Sequence, residues 1–267
     1  MLGLLWANIT AHLIYFRRSR LLLAFGLVFL GIIVLFALPQ LFMATKLTVF
    51  DVIRIALDEM EIFLVIFSAA LGLFLVSSHL RARNLKMVFT KPCPPGLWLV
   101  SAFLAAILVS LFIQLLITAV AMTACLAFRL HVQMGVLFVS LDSFAMCVGM
   151  IGYLTFLATA MHPVLAAVFV VFFNPSLFYL LRVQMLGFIE SGSKNALVRI
   201  LEPSFQLVYM ALPVFHAFSD KTASVRASLR VDHGQWMHVF GAFGYDLALA
   251  ALCYCLSLVF LQRKRLI

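Results

Sequence analysis

The sequence predicts an all-α integral membrane protein with six transmembrane helices. An N-terminal interfacial helix, a short cytoplasmic helix between spans two and three, and short outer helices between spans five and six complete the expected fold. Three observations lead there. Of 267 residues, 65% are hydrophobic and 11% charged, against roughly 45–50% and 25% in a soluble domain. A soluble globule of this length cannot hide so much apolar surface. Six apolar runs are long enough to be read as helices crossing about 30 Å of hydrocarbon, which takes around 20 residues. The alternating ten-residue strands of a membrane barrel are absent from the pattern, and helices are the other spanning structure that satisfies its own backbone in lipid.

The spans are expected at Leu21–Met43, Glu61–Ser77, Leu97–Phe128, Val136–Met161, Val164–Leu181 and Phe240–Leu261. The third is long enough to tilt or project. Ahead of the first, Leu2, Leu5, Trp6, Ile9, Leu13 and Phe16 recur at helical spacing, with Asn8 and His12 on the other side. Residues 1–20 therefore read as an interfacial helix, with an extension of the first span as the alternative. The run after Arg20 is too long for a signal-peptide core and lacks a small-residue cleavage site. Pro175, in Asn174-Pro175-Ser176, is expected to kink the fifth span. The outer stretch 182–239 is long for a simple connection. Its apolar part, broken by Pro203 and Pro213, reads as two short helices dipping into the outer leaflet.

Charge sets the expected orientation. Arg17, Arg18, Arg20, Arg81, Arg83, Lys86, Lys91, Arg263, Lys264 and Arg265 fall on one side, and no acidic residue does. The positive-inside rule puts that side, with both termini, in the cytoplasm. The net charge of +9 is thus a topology signal, not a nucleic-acid footprint. Cys93, Cys125, Cys147, Cys253 and Cys255 lie in spans or on the cytoplasmic side, away from any outer disulfide. All five read as small buried hydrophobes.

Catalytic signatures are missing. There is no phosphate-cradling G-x-x-x-x-G-K-[ST], no H-E-x-x-H and no G-x-S-x-G. Asp232, His233 and His238 cluster in the last outer loop, but a metal site there needs a further ligand and loop histidines are more often solvated. The chain reads as a non-enzyme with no metal.

The cytoplasmic stretch 78–96 is the most specific segment. Leu80, Leu85, Val88 and Phe89 fall near one side of a helix, with Arg81, Arg83, Asn84 and Lys86 around the rest. Thr90 and Lys91 precede Pro92, which stops the helix, and Pro94-Pro95-Gly96 redirects the chain into the third span. The result is a firm cytoplasmic knob, although a basic loop binding anionic lipid would also explain its charge.

These residues resemble the permease subunit of a type-2 ABC transporter. The coupling-helix pattern of that family is matched by Arg83-Asn84-Leu85, by Met87-Val88-Phe89-Thr90-Lys91-Pro92, and by Phe103-Leu104 after the turn. Tyr209 to Asp220 is similar to the stretch before the family's last span, and Phe260 to Arg265 to its basic ending. The likeness runs over essentially the whole chain on short motifs. It departs where the family has an acidic residue ahead of the coupling helix (His79 and Leu80 here), a basic residue after the proline turn, and a lysine at the start of the third span.

The resemblance implies a single transmembrane domain over 1–267 in a bacterial-type cytoplasmic (inner) membrane, most simply an exporter. It implies a second permease copy and a separate ABC ATPase that binds ATP and Mg, since this chain has no nucleotide motif. ATPase coupling would fall to Arg81, Arg83, Asn84, Lys86, Thr90, Lys91 and Pro92. The loop 182–239 would offer a surface to an extracytoplasmic partner. Membrane lipid is a further partner, and nucleic acid is not.

Polar residues inside spans are the candidates for a substrate path, because they are costly there and usually functional. They are Gln114, Asp142, Asn174 and Asp246. The competing explanation is that the carboxylates reach water at the boundary while Gln and Asn bond neighbouring helices. Rival functions are an ATP-independent scaffold or assembly factor, a lipid-acting membrane enzyme, and an ion- or proton-coupled carrier.

Overall fold

The computed structural model describes residues 2–18, 26–27, 31, 48–79, 94–172, 203–204, 225 and 228–265. The described residues form helices and turns, with no strand among them. The longer elements are α1 (Leu2–Arg18), α2 (Val49–His79), α3 (Pro95–Ala127), α4 (Gln133–Ala160), α5 (Pro163–Phe172) and α6 (Trp236–Arg265). Three of them hold stretches long and apolar enough to cross a membrane: Gly96–Ala127, Gln133–Ala160 and Trp236–Arg263. These answer to the expected third, fourth and sixth spans. α5 covers the first part of the expected fifth span. Of the first span, Gly26, Leu27 and Gly31 are described, each helical. Of the expected outer helices only Pro203 and Ser204 are described, both helical; the rest, and the kink at Pro175, lie outside the described residues.

The helix at the expected second span differs most from expectation. It starts at Val49, twelve residues before Glu61, because charged side chains end an apolar run without ending a helix. Thr48 and Asp51 start it as a capping box. The Thr48 backbone N–H and hydroxyl donate to Asp51 Oδ2 at 3.1 and 2.6 Å, and the Asp51 N–H donates back to Thr48 Oγ1 at 3.3 Å. The apolar core of α2 is the shorter stretch Phe63–Phe74.

Proline and a left-handed residue bound α3. Pro94 is extended (φ −61°, ψ 137°) and Pro95 opens the helix, where a missing N–H costs nothing. At the far end Arg129 adopts φ 54°. The Leu130 N–H reaches back to Cys125 O at 2.9 Å and the Arg129 N–H to Leu126 O at 3.2 Å, a Schellman ending. α6 is entered through a 3-10 turn, His233–Gln235, in which the Asp232 N–H donates to Gln235 Oε1 at 2.8 Å.

α4 is the central helix. Of its apolar stretch 72% is buried, against 22% for α3 and 28% for α6. It packs against α2, α3 and α6. Ring pairs Phe138–Trp236, Phe144–Phe243 and Phe156–Phe260 ascend together in number, so α4 and α6 run parallel. Close approach is bought with small residues: a Cβ on Gly152 would sit 2.7 Å from Ala250 Cα, and one on Gly72 3.1 Å from Ile151 O.

The bundle is apolar outside. Along α3, Phe112, Leu115, Leu116 and Val120 are 52–69% exposed, while Ser110, Gln114 and Thr118 are buried. Water would not tolerate so broad an apolar surface, whereas hydrocarbon requires it.

α1 lies against α3 and α2 through Leu5, Ile9, Leu13 and Phe16. Two expectations change here. His12 belongs to the packed side, 5% exposed and edge-on to Trp98 at 5.7 Å, and Trp6 faces outward. A helix docked on its own bundle turns its amphipathic tip, imidazole, toward an aromatic neighbour and leaves the indole to the surroundings.

Candidate polar site in the bundle core

Among the described residues, α4 carries more of the buried polar groups than any other helix. Ser140, Ser143 and Cys147 recur at i, i+3 and i+7, and Asp142 lies beside them. From α3 come Ser110, Gln114 and Thr118 at four-residue spacing, from α2 Ser68, and from α6 Asp246; all are 8% exposed or less.

Hydrogen bonds join this layer across helices. Thr118 Oγ1 is 2.9 Å from Ser140 Oγ, donating to it, and 2.8 Å from its own helix's Gln114 carbonyl. Ser68 Oγ and Ser110 Oγ lie 3.3 Å apart, and the Cys147 thiol is within hydrogen-bonding reach of Ser68. Cys147 in turn lies within the electrostatic reach of Asp246, and Asp246 within that of Asp142. The layer thus runs from α3 through α2 and α4 to α6.

Two oxygens in it have no partner: Asp246 Oδ1 and Gln114 Oε1 are fully enclosed without a hydrogen bond. Thr118 meets α4 at Ser140, and Ser110 meets it, through Ser68, at Cys147. Since α3 and α4 are antiparallel, Gln114 falls midway, level with Asp142 and Ser143.

The carboxylates do not reach water, contrary to the boundary reading. Asp142 is 5% and Asp246 1% exposed. α4 and α6 begin three and four residues earlier than expected, which puts the carboxyls about 14 and 15 Å along their helices at 1.5 Å per residue. An ionised aspartate at a span's centre costs about 2.5–3.5 kcal/mol on insertion scales. Two that act on each other cost more unless a positive charge joins them. The arrangement can therefore take up a proton or cation and pass hydrogen bonds between helices. Among the described residues no group of three or more His, Cys, Asp and Glu is placed to hold a metal ion.

Of the residues expected to form a path, Gln114, Asp142 and Asp246 share this layer. Asn174, and all of Arg81, Arg83, Asn84, Lys86, Thr90, Lys91 and Pro92, lie outside the described residues. The described ends of that cytoplasmic segment are His79 and Pro94. There the Tyr254 hydroxyl of α6 donates to Gly96 O at 3.0 Å, tying α6 to the first turn of α3. The hydroxyls at 68, 110, 118, 140 and 143, and the thiol at 147, were not expected in the site, although their helical spacing was visible in the chain. Cysteine burial holds for Cys125, Cys147 and Cys253, but Cys255 is exposed. Two residues on from Cys253, it points some 200° around the helix, toward the outer apolar face.

A second seam, between α2 and α3, is an apolar groove of about 570 Å³ lined by Ile53, Leu57, Phe63, Ile113, Ile117 and Val120 among others.

No known protein family, curated protein or solved structure matches the chain.

Proposed function

We propose that the chain is the transmembrane permease subunit of an ATP-driven transporter of the type-2 ABC class, an exporter whose ATPase is a separate polypeptide. The observation that carries the transport part is the polar layer. Four helices that are apolar toward the surroundings bury hydroxyls, an amide and two carboxyls between them, which a passive anchor has no use for. The ATP-driven part rests on the resemblance of residues 83–92 to a coupling helix. The extended Pro94 and the helix start at Pro95 suit the sharp turn that such a segment needs.

In this reading the chain spans the membrane six times with both termini in the cytoplasm, and Arg17, Arg18 and Arg263 mark the cytoplasmic end. Two copies pair, each bound by one ATPase. The two buried carboxyls favour one second reading, an ion- or proton-coupled carrier working without ATP.

A mild-detergent pull-down of the full chain from its native membranes separates the readings. The permease reading predicts a stoichiometric ATPase whose turnover of ATP with Mg is uncoupled from transport by K91A/P92A. A folded chain that captures no ATPase contradicts it and leaves the carrier, the scaffold or the lipid-acting enzyme.

A further inference from the structure

At the end of the bundle where α2 begins, α3 ends and α4 begins, one more piece of chain packs among the helices: Val225 and residues 228–231. Leu229 is 2% exposed, in a cluster with Ile53 and Leu57 of α2, Cys125 of α3, and Val136 and Val139 of α4. Val225 and Val231 pack instead with Phe138 of α4 and Val239 of α6. At about 100° per residue, Gly135 lies between these two faces of α4. There the segment crosses: a Cβ on Gly135 would run into the Leu229 carbonyl.

We infer that this segment is a strap across the start of α4, with Leu229 the plug that closes the outer end of the polar layer and withdraws when that layer opens. The cluster that Leu229 completes lies about one helical turn beyond Ser140 on α4, at Val136, and about two turns beyond Thr118 on α3, at Cys125. It therefore covers the Thr118–Ser140 hydrogen bond from that end. The Leu229 backbone is held against its preference. Its φ is 49°, a left-handed conformation that a bulky side chain disfavours. Its N–H donates to Val225 O at 2.6 Å, which places Leu229 just past the end of a helical turn, where glycine is the usual residue.

Side chain and backbone thus pull in opposite directions at one residue. Closed, burial of the leucine among three helices offsets the strain. Withdrawn, the backbone relaxes, so the two states lie closer in free energy than packing alone would set them. That this end faces outward rests on the proposed orientation; the plug itself stands on these contacts, whichever energy source drives the chain.

The test reads Cys125, which is 0% exposed in the cluster that Leu229 completes. The purified full-length chain in detergent, with Cys93, Cys147, Cys253 and Cys255 replaced by serine, is challenged with a small water-soluble maleimide, so the result depends neither on orientation nor on ATP. The parent should label slowly. L229A should label about tenfold faster or more, because labelling follows the open population. G135A, which pushes the strap away from the α4 side, should do the same. V139A removes apolar volume from the same cluster, leaves the strap in place and should keep Cys125 slow. A folded L229A that labels no faster than its parent overturns the proposal. So does a V139A that labels as fast as L229A, which would make Leu229 one packed side chain among others.

Thermal unfolding of the same preparations reads the strain. At positive φ a glycine is at ease and an alanine is not, so L229G should melt above L229A, the reverse of their order at an ordinary position. L229G melting below L229A contradicts the held backbone, and with it the poised plug.

Discussion

Two seams of the same bundle are built in opposite ways. Between α2 and α3, outside the level of Ser68 and Ser110, the walls are Ile, Leu, Val, Ala, Met and Phe and enclose a groove of about 570 Å³. Between α4 and α6 the helices touch through Gly152 and Ala250 and bury Asp142 and Asp246. An apolar groove in a membrane costs little when open, because lipid chains fill it as well as side chains do. A polar seam has no such substitute, and must be either closed or wet. In the proposed transport reading, the polar seam is the part whose opening would have a consequence, whereas the apolar groove can vary more freely.

That difference is open to attack by mutation. The largest effect is expected at Gly152. A valine there drives its side chain into the Ala250 backbone, and overpacking of this kind costs about 1–3 kcal/mol or more. In thermal unfolding of the detergent-solubilised chain G152V should lose most of its folded fraction. Alanine substitutions in the apolar groove, such as I117A, should leave far more protein folded. If the two behave alike, the seams are not mechanically different.

Next come the hydroxyls. T118V and S140A each break the Thr118–Ser140 bond, and helix-to-helix hydrogen bonds in membranes average about 0.6 kcal/mol by double-mutant cycles. The single variants and the pair, compared by Tm, should show a coupling of that order. Full additivity would mean that the bond does not hold α3 to α4.

The smallest effect is at the surface. The Thr48 hydroxyl, and then its backbone N–H, hold the Asp51 carboxyl below the usual carboxylate range. A group held that way stabilises above the ordinary carboxylate value near about 4 and loses the effect as pH falls through its folded value. Acid should thus fray the start of α2, seen as faster amide exchange at residues 49–54, and T48A, which keeps only the backbone donor, should weaken that acid dependence. Exchange that is equally pH-dependent in T48A would remove the cap from the account.

How much was legible beforehand follows the same division. α3, α4 and α6 were read to within four residues at each end, because long apolar runs with prolines or charges at their ends leave little freedom. The start of α2 was missed because hydropathy reports the bilayer and not the helix: Asp51, Arg54 and Glu59 lie on a helix that has already begun. Gln114, Asp142 and Asp246 were legible as polar letters in apolar text. Ser68, Ser110, Thr118, Ser140 and Ser143 were not, since isolated hydroxyls in a span are common and can bond their own helix, as Ser143 does to Val139 O at 2.9 Å. What distinguishes the others is a partner on another helix, and that is a tertiary fact. His12 was misplaced for a related reason: the helix it belongs to docks on Trp98 and Phe74, which no periodicity within residues 2–18 records.

The central claim is that the polar layer around α4 opens during a transport cycle, and Cys147 is a native reporter in it. With Cys93, Cys125, Cys253 and Cys255 replaced by serine, the remaining thiol can be challenged in native membranes with a small water-soluble methanethiosulfonate. The account predicts slow labelling at rest, accelerating several-fold when ATP and Mg are supplied. A folded chain whose Cys147 reacts no faster with ATP than without it would contradict the claim, and would make the layer a permanently closed core.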